Sequence, residues 1–192
     1  RLAESLLPLL ATDEDAVPAA IESLREVLAT FTPRFRAAWS RGMADKLGLI
    51  DARNDELFDG LVDAMRADAA DLTITFRLLA DELRRSEQLV SPPLPHGDAV
   101  DAWIDGWRAQ LAIEGRPATV VADAMDAVNP VYVPRNHLVE PALVAAAAGD
   151  LDPFRSLLAR VTAPFERQPG ADPYAAPAPE DFDRTYQTFC GT

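Results

Sequence analysis

The sequence predicts an all-α protein, an irregular bundle of about seven to nine helices with an extended, proline-rich C-terminal tail. Three observations carry that reading. Apolar residues recur at the 3.6-residue spacing of an amphipathic helix through most of the chain. Alternating β-branched runs bounded by hairpin turns do not occur. Beyond residue 163, Pro164, Pro169, Pro173, Pro177 and Pro179 deny the backbone donors and dihedrals that a long helix needs.

The elements follow in order. Leu2, Leu6, Leu7 and Leu10 have helical spacing, so the chain opens at or inside a helix. A second helix starts near Asp13 or Asp15, with Pro18 in its first turn, where a missing N–H costs little. Val17, Ile21, Leu24, Val27, Leu28 and Phe31 form its apolar face. Thr32-Pro33 reads as a cap and N1 proline that restart a helix carrying Phe35, Trp39, Met43 and Leu47 to a stop at Gly48. Asn54, followed by Asp55 and Glu56, is a helix start with carboxylates at the positive end of the dipole; Leu57, Phe58, Leu61, Val62 and Met65 follow. Asp71 caps the next helix, with Leu72, Phe76, Leu79 and Leu83 turned inward. Residues 86–97, including Ser91-Pro92-Pro93-Leu94-Pro95-His96-Gly97, read as an exposed connector. Asp98 caps a helix with Val100, Trp103, Ile104, Trp107 and Leu111 on one face. Trp103 and Trp107, one turn apart, suit a core stripe better than a ligand platform. Pro117 opens a helix with Val120, Val121, Met125 and Val128. Leu138, Leu143 and Val144 continue to Gly149, and Asp152-Pro153 opens the last clear helix, with Phe154, Leu157, Leu158 and Val161. Residues 1–163 thus form a helical region and 164–192 a tail ending in Cys190. Tyr174, Phe182, Tyr186 and Phe189 give the tail anchors for docking on the helices.

Composition narrows function. A 192-residue chain that is 48% apolar can bury about 70% of its unfolded surface as one domain. A net charge of −13 opposes nucleic-acid binding, which needs clustered Lys and Arg, and opposes an anionic membrane surface. No apolar run approaches the ~18 residues of a membrane span. A single cysteine fits a reducing, cytoplasmic compartment. The chain begins Arg1-Leu2-Ala3, without Met, and reads as a piece of a longer protein. No glycine-rich phosphate loop, kinase catalytic signature or nucleophile elbow occurs, and His96 and His137 lack ligand-spaced partners. No catalytic, cofactor-binding or metal-binding residue is therefore assigned in this chain.

The chain turns on Val128 to Leu138. Pro130 and Pro134 fix φ and remove two donors, so an extended elbow separates two helices. Arg135 and Asn136 open the second helix, with Asn136 able to cap it. Asn129, Arg135 and Asn136 form either a buried hydrogen-bond hub or a ligand clamp, and the fixed donor fork of arginine favours the hub.

Four residues separate Asn129-Pro130 from Arg135-Asn136, and this element resembles one in the selenoprotein O (YdiU) family of protein adenylyltransferases. Further matches follow in the same order: Lys46-Leu47-Gly48-Leu49, Asp71 to Leu79, Pro164-Phe165 with Gln168-Pro169, Tyr174 with Pro177, and Cys190 third from the end. The resemblance covers the whole chain against the C-terminal part of that family. It implies a protein-kinase-like fold in the full-length protein, ATP with Mg²⁺ or Mn²⁺, and AMP transfer to Ser, Thr or Tyr hydroxyls of protein substrates. The nucleotide and metal elements would lie upstream, so this chain would support a kinase-like core that is its partner and would be inactive alone. The resemblance also implies a redox role for Cys190, in a position where some members carry selenocysteine, and a disulfide to an upstream cysteine is one form of that role. Gly191-Thr192 replaces the paired serines of bacterial relatives, and Phe182 stands where Trp is frequent. Two rival readings remain: a stand-alone helical interaction domain, and a small-molecule-binding bundle with Trp103 and Trp107 at a cavity.

Overall fold

A computed structural model describes residues 2–11, 13–87, 97–179, 181–182 and 186–187. These residues are all-helical, with no strand among them. Nine helices have nine residues or more, and a tenth is a single turn in the tail. The connector residues 88–96, with His96, and the terminal Phe189, Cys190, Gly191 and Thr192 lie outside the described residues. The chain divides into two compact units, Arg1–Met43 and Ala44–Thr192, and the tail belongs to the second.

The first unit holds α1 (Leu2–Leu10), a 3-10 turn (Glu14–Ala16), α2 (Val17–Ala29) and most of α3 (Phe31–Lys46). Asp13 caps the turn by accepting the Ala16 N–H at 2.9 Å. Pro18 lies in the first turn of α2, as expected. The restart differs from the expectation of a Thr32 cap. Thr30 ends α2, its hydroxyl donating to the Val27 carbonyl at 2.7 Å, and α3 already begins at Phe31 with Pro33 inside its first turn. Phe31, Phe35 and Trp39 stack in a ladder with centroids 5.9 and 6.5 Å apart. The predicted apolar stripe exists, but its C-terminal part faces outward: Val27, Leu28, Phe31 and Phe35 are all more than half exposed.

The second unit contains α4 (Asp55–Ala67), α5 (Leu72–Glu87), α6 (Asp98–Glu114), α7 (Ala118–Val128), α8 (Asn136–Ala147), α9 (Asp152–Val161) and α10 (Asp172–Ala175). Helix α4 packs on α6, α5 on α7, and α8 on α9. Leu47, Phe58, Leu61, Leu79, Val100, Trp107, Val121 and Met125 are fully buried. Each contributes about 1.5–3 kcal/mol of transfer free energy against the entropy of ordering. Trp107 belongs to this core, and the half-buried Trp103 stacks on it. Trp107 donates its indole N–H to the Leu47 carbonyl at 3.0 Å and Trp103 to that of Leu57 at 2.8 Å, with the rings stacked 5.9 Å apart. Their polar edges are thus engaged with backbone rather than presented to a cavity.

Several helix ends differ from the sequence reading. Asp98 is the first residue of α6, not its cap; the capping carboxylate belongs to Asp68 at the end of α4, which accepts the Ala99 and Val100 N–H groups at 3.2 and 2.9 Å. Gly97 approaches that carboxylate so closely that a Cβ would sit 2.5 Å from its oxygen. Leu72, expected inside, is exposed on α5, and Val120 and Val128 of the predicted apolar set of α7 are exposed as well. Asn54 precedes α4 but makes no side-chain capping bond.

Helices α3 and α4 end in the same way. The residue after next reaches back five positions, Leu49 N–H to Ala44 O at 2.8 Å and Ala70 N–H to Met65 O at 2.9 Å, across a left-handed residue. That residue is Gly48 (φ +69°) after α3 but Ala69 (φ +49°) after α4. Opposite effects should follow. Ala69→Gly is expected to stabilise the protein by about 0.5–1 kcal/mol by relieving a left-handed alanine. Gly48→Ala, whose Cβ would lie 2.4 Å from Val121 Cγ1, should destabilise by at least about 2 kcal/mol. Urea unfolding of the two variants checks both signs.

Candidate functional site

The elbow between α7 and α8 draws together side chains from widely separated parts of the sequence. Asn129 ends α7 and is 1% exposed. Its amide N–H donates to the Lys46 carbonyl at 2.8 Å, and its Oδ1 accepts from Lys46 Nζ at 3.1 Å. One side chain thus closes a two-way bridge to the last turn of α3, satisfying groups that would be costly to bury unpaired. The Lys46 ammonium also sits 5.1 Å from the centre of the Phe76 ring, and burial lowers its pKa. This chain has one lysine, and it is here.

Arg77 supplies the next tie. It lies on α5, 7% exposed, and its Nη1 donates to the carbonyls of Asn129 at 3.1 Å, Asp126 at 3.3 Å and Phe165 at 3.4 Å, while standing 2.9 Å from the Asp126 carboxylate. One guanidinium therefore joins the end of α7 to the start of the tail. Arg84, two turns along α5, pairs with Asp123 and Asp126 at 2.6 and 2.8 Å. Arg167 reaches Asp81 at 2.9 Å.

Arg135 completes the constellation as the N-cap residue of α8. Its guanidinium grips Asp71 with both terminal nitrogens, one bond being 2.9 Å, in the bidentate geometry that gives arginine–carboxylate pairs their strength. Asp71 at the same time accepts the Ile74 N–H at 2.9 Å and so caps α5, as the sequence predicts. Burial pushes the Asp71 carboxyl upward, but the Arg135 hydrogen bond, with the Ile74 and Thr73 N–H groups, outweighs it and holds the pKa below the ordinary carboxylate value. Asn136 takes a different place from the cap proposed for it. It is the first residue of α8, exposed, and one position too late to cap.

The tail is fastened across this elbow. Pro164 O accepts the Val131 and Tyr132 N–H groups at 2.7 and 3.3 Å, and the Tyr132 hydroxyl accepts the Gln168 N–H at 2.8 Å. Val131, Tyr132 and Ala171 form a small buried cluster against which Tyr174 and Ala175 pack. Farther on, Phe182 meets His137 edge to face at 5.8 Å, and the Tyr186 hydroxyl donates to Glu140 at 2.9 Å. Arg135, Asp71, Asn136 and His137, with Pro177 and Phe182 of the tail, line an open cleft of about 510 Å³. Arg135 faces that cleft already committed to Asp71, which makes it a strut more than a free cation for a ligand.

The sequence reading singles out Asn129 and Arg135 as hub candidates; Lys46 and Arg77 enter it only within the family-like motifs, and Asp126 not at all. A signal existed. Arg77 and Arg84 stand seven apart on one face of α5, and Asp123 and Asp126 stand three apart on α7, a complementary pattern across two neighbouring helices. The fold and site define an all-helical region whose described residues are organised around a hydrogen-bonded elbow.

A profile of the family described as "Protein adenylyltransferase SelO" matches residues 1–162. The chain is 45% identical to "Protein nucleotidyltransferase YdiU" of Rhodococcus jostii (strain RHA1), with all of this chain and 37% of that protein covered. It is likewise 45% identical to proteins of the same description from Cereibacter sphaeroides (strain ATCC 17029 / ATH 2.4.9) and Mycolicibacterium paratuberculosis (strain ATCC BAA-968 / K-10), covering 38% of each. The chain therefore belongs to the SelO protein adenylyltransferase family, and it spans less than two-fifths of the length of these relatives.

The Arg135–Asp71 pair makes stability pH-dependent in a fixed direction. A depressed carboxyl pKa stabilises the folded state above the unfolded value of about 3.9, and that contribution is lost as pH falls through the folded pKa. Arg135→Leu should cost about 2 kcal/mol at pH 7, with the gap to the parent protein shrinking below about pH 4. Urea titrations of both proteins at pH 7 and in the acid range test this.

Proposed function

We propose that this chain is the helical C-terminal region of a protein adenylyltransferase, and that its role is to support a kinase-like core outside these residues. In this reading the whole protein is cytoplasmic. It binds ATP with Mg²⁺ or Mn²⁺ and transfers AMP to Ser, Thr or Tyr hydroxyls of protein substrates. The observation that carries the reading is the convergence at the elbow. Lys46, Asp71, Arg77, Asn129, Arg135, Phe165 and Gln168 all lie in the short motifs that resemble the family: Lys46, Asn129, Arg77 and Phe165 are joined in one chain of hydrogen bonds, Arg135 pairs with Asp71, and Gln168 bonds to Tyr132 of the same elbow. Those motifs are parts of one scaffold.

Phosphoryl and nucleotidyl transfer need cations on the phosphates and aligned oxygens. The arginines of the elbow are committed to carboxylates and carbonyls, so their work is positioning: Arg135 and Asp71 set the angle between α5 and α8, and Arg77 holds the tail to α7. Cys190, outside the described residues, is proposed as a redox-responsive terminus on a tail anchored this way. The exposed apolar face of α2 and the start of α3 supports a covering partner, which the upstream core supplies. That face also suits a stand-alone interaction domain, the second reading. The reading of a small-molecule bundle loses its main support, because both indole N–H groups are bonded to backbone carbonyls and the two rings stack on each other.

The expected result is no AMP transfer by the 192-residue chain with ATP and Mg²⁺ or Mn²⁺, and transfer to protein by the whole protein, both followed with labelled ATP. In the whole protein, Arg135→Leu should lower Tm by several degrees while leaving the Kd for ATP within about twofold. AMP transfer by the 192-residue chain alone would contradict the proposal.

A further inference from the structure

Helices α8 and α9 form a hairpin that reverses at Gly149, and an apolar groove runs along it. Pro134, Val139, Leu143, Phe154, Leu158 and Val161 line this groove, which encloses about 200 Å³. Its walls are almost wholly carbon. Leu143, Phe154 and Leu158 remain 40–48% exposed, although they flank the buried Ala142 and Leu157 that close the hairpin. Polar side chains around it are engaged within the chain: Arg155 with Asp152 at 3.5 Å, Arg160 with Gln168, and Glu140 with the Tyr186 hydroxyl. What the groove offers a partner is therefore apolar area and shape.

We propose that this groove is a docking seat for the part of the family's protein that lies outside these 192 residues, which inserts apolar side chains between α8 and α9. The inference rests on the functional reading above and adds a particular contact surface to it. Three observations select this occupant. The family match runs through residue 162, so it includes the entire hairpin, and more than three-fifths of each relative's length lies beyond this chain. Described tail residues set their apolar side chains elsewhere, on Tyr132 and around the Arg135 cleft, and reach the groove's surroundings only through the Gln168 and Tyr186 hydrogen bonds. A second copy of the chain is opposed by the net charge of −13 on each, whereas a tethered segment meets the groove at high effective concentration.

Hydrogen exchange followed by mass spectrometry on the 192-residue chain and on the whole protein tests this. Peptides covering 138–147 and 152–161 should exchange at least tenfold more slowly in the whole protein. If they exchange equally while peptides covering 20–40 slow down, the groove is not a seat, and the supporting role stands. If neither set slows, both readings fail. Protection of the groove peptides that grows with concentration of the 192-residue chain would identify a second copy as the occupant and overturn the proposal. The double variant Leu143→Glu/Leu158→Glu gives a separate readout. It should shift the Tm of the 192-residue chain by no more than about 2 °C, because both side chains are already half exposed, yet abolish the slowing in the whole protein. Unchanged slowing would contradict the assignment.

Discussion

The second unit depends on one buried amide. Asn129 sits where a helix must stop, at a proline, and where three other segments arrive. A helix end exposes carbonyls that need donors, and a proline next to it removes a donor. The side chain of Asn129 bridges Lys46 at both its backbone and its ammonium, and the Asn129 carbonyl is taken by Arg77. Asparagine can serve here because it carries donor and acceptor on one short side chain; Asp would lack the donor and Leu would lack both. The elbow is a place where backbone polarity that helices cannot satisfy is satisfied by side chains from far away.

This arrangement explains the composition around it. Arginine makes up 17 of the 18 basic residues; Arg77, Arg135 and Arg167 each tie an irregular segment to a helix, and Arg84 ties α5 to α7. A planar guanidinium can serve several acceptors at once, so it joins loops to helices without a matching fold. The site of the single lysine is different in kind. Its compact ammonium is wedged between an amide oxygen and a phenylalanine ring, a space that suits a point charge better than a fork.

Much of the fold was legible in the sequence because local physics decided it. The 3.6-residue period located the helices, Gly48 and Gly149 marked helix ends, and Asp71 did cap α5. What escaped was decided by tertiary contact. Asp68 replaced Asp98 as the cap of α6 because the chain brings the end of α4 against that helix start. Asn136 lost its capping role because the prolines set the helix to begin one residue earlier than the side-chain preference suggests. Arg77 was hidden among apolar residues, and its complementary spacing with Asp126 acquires meaning only once α5 packs on α7, where three carbonyls also meet it. The stripe on α2 and α3 was legible as apolar but not its exposure, since periodicity identifies a face and not what covers it.

The central claim is that the elbow and the start of the tail are as stable as the helices they join. Native-state hydrogen exchange resolved by NMR measures this directly, at the amides of Val131, Tyr132 and Gln168. The account predicts that all three exchange only through the global unfolding that also exposes the amides of α5 and α7. Exchange of these three amides through a low-energy local opening, while α5 and α7 stay protected, would mean that the elbow is a surface loop and that the scaffold does not depend on it.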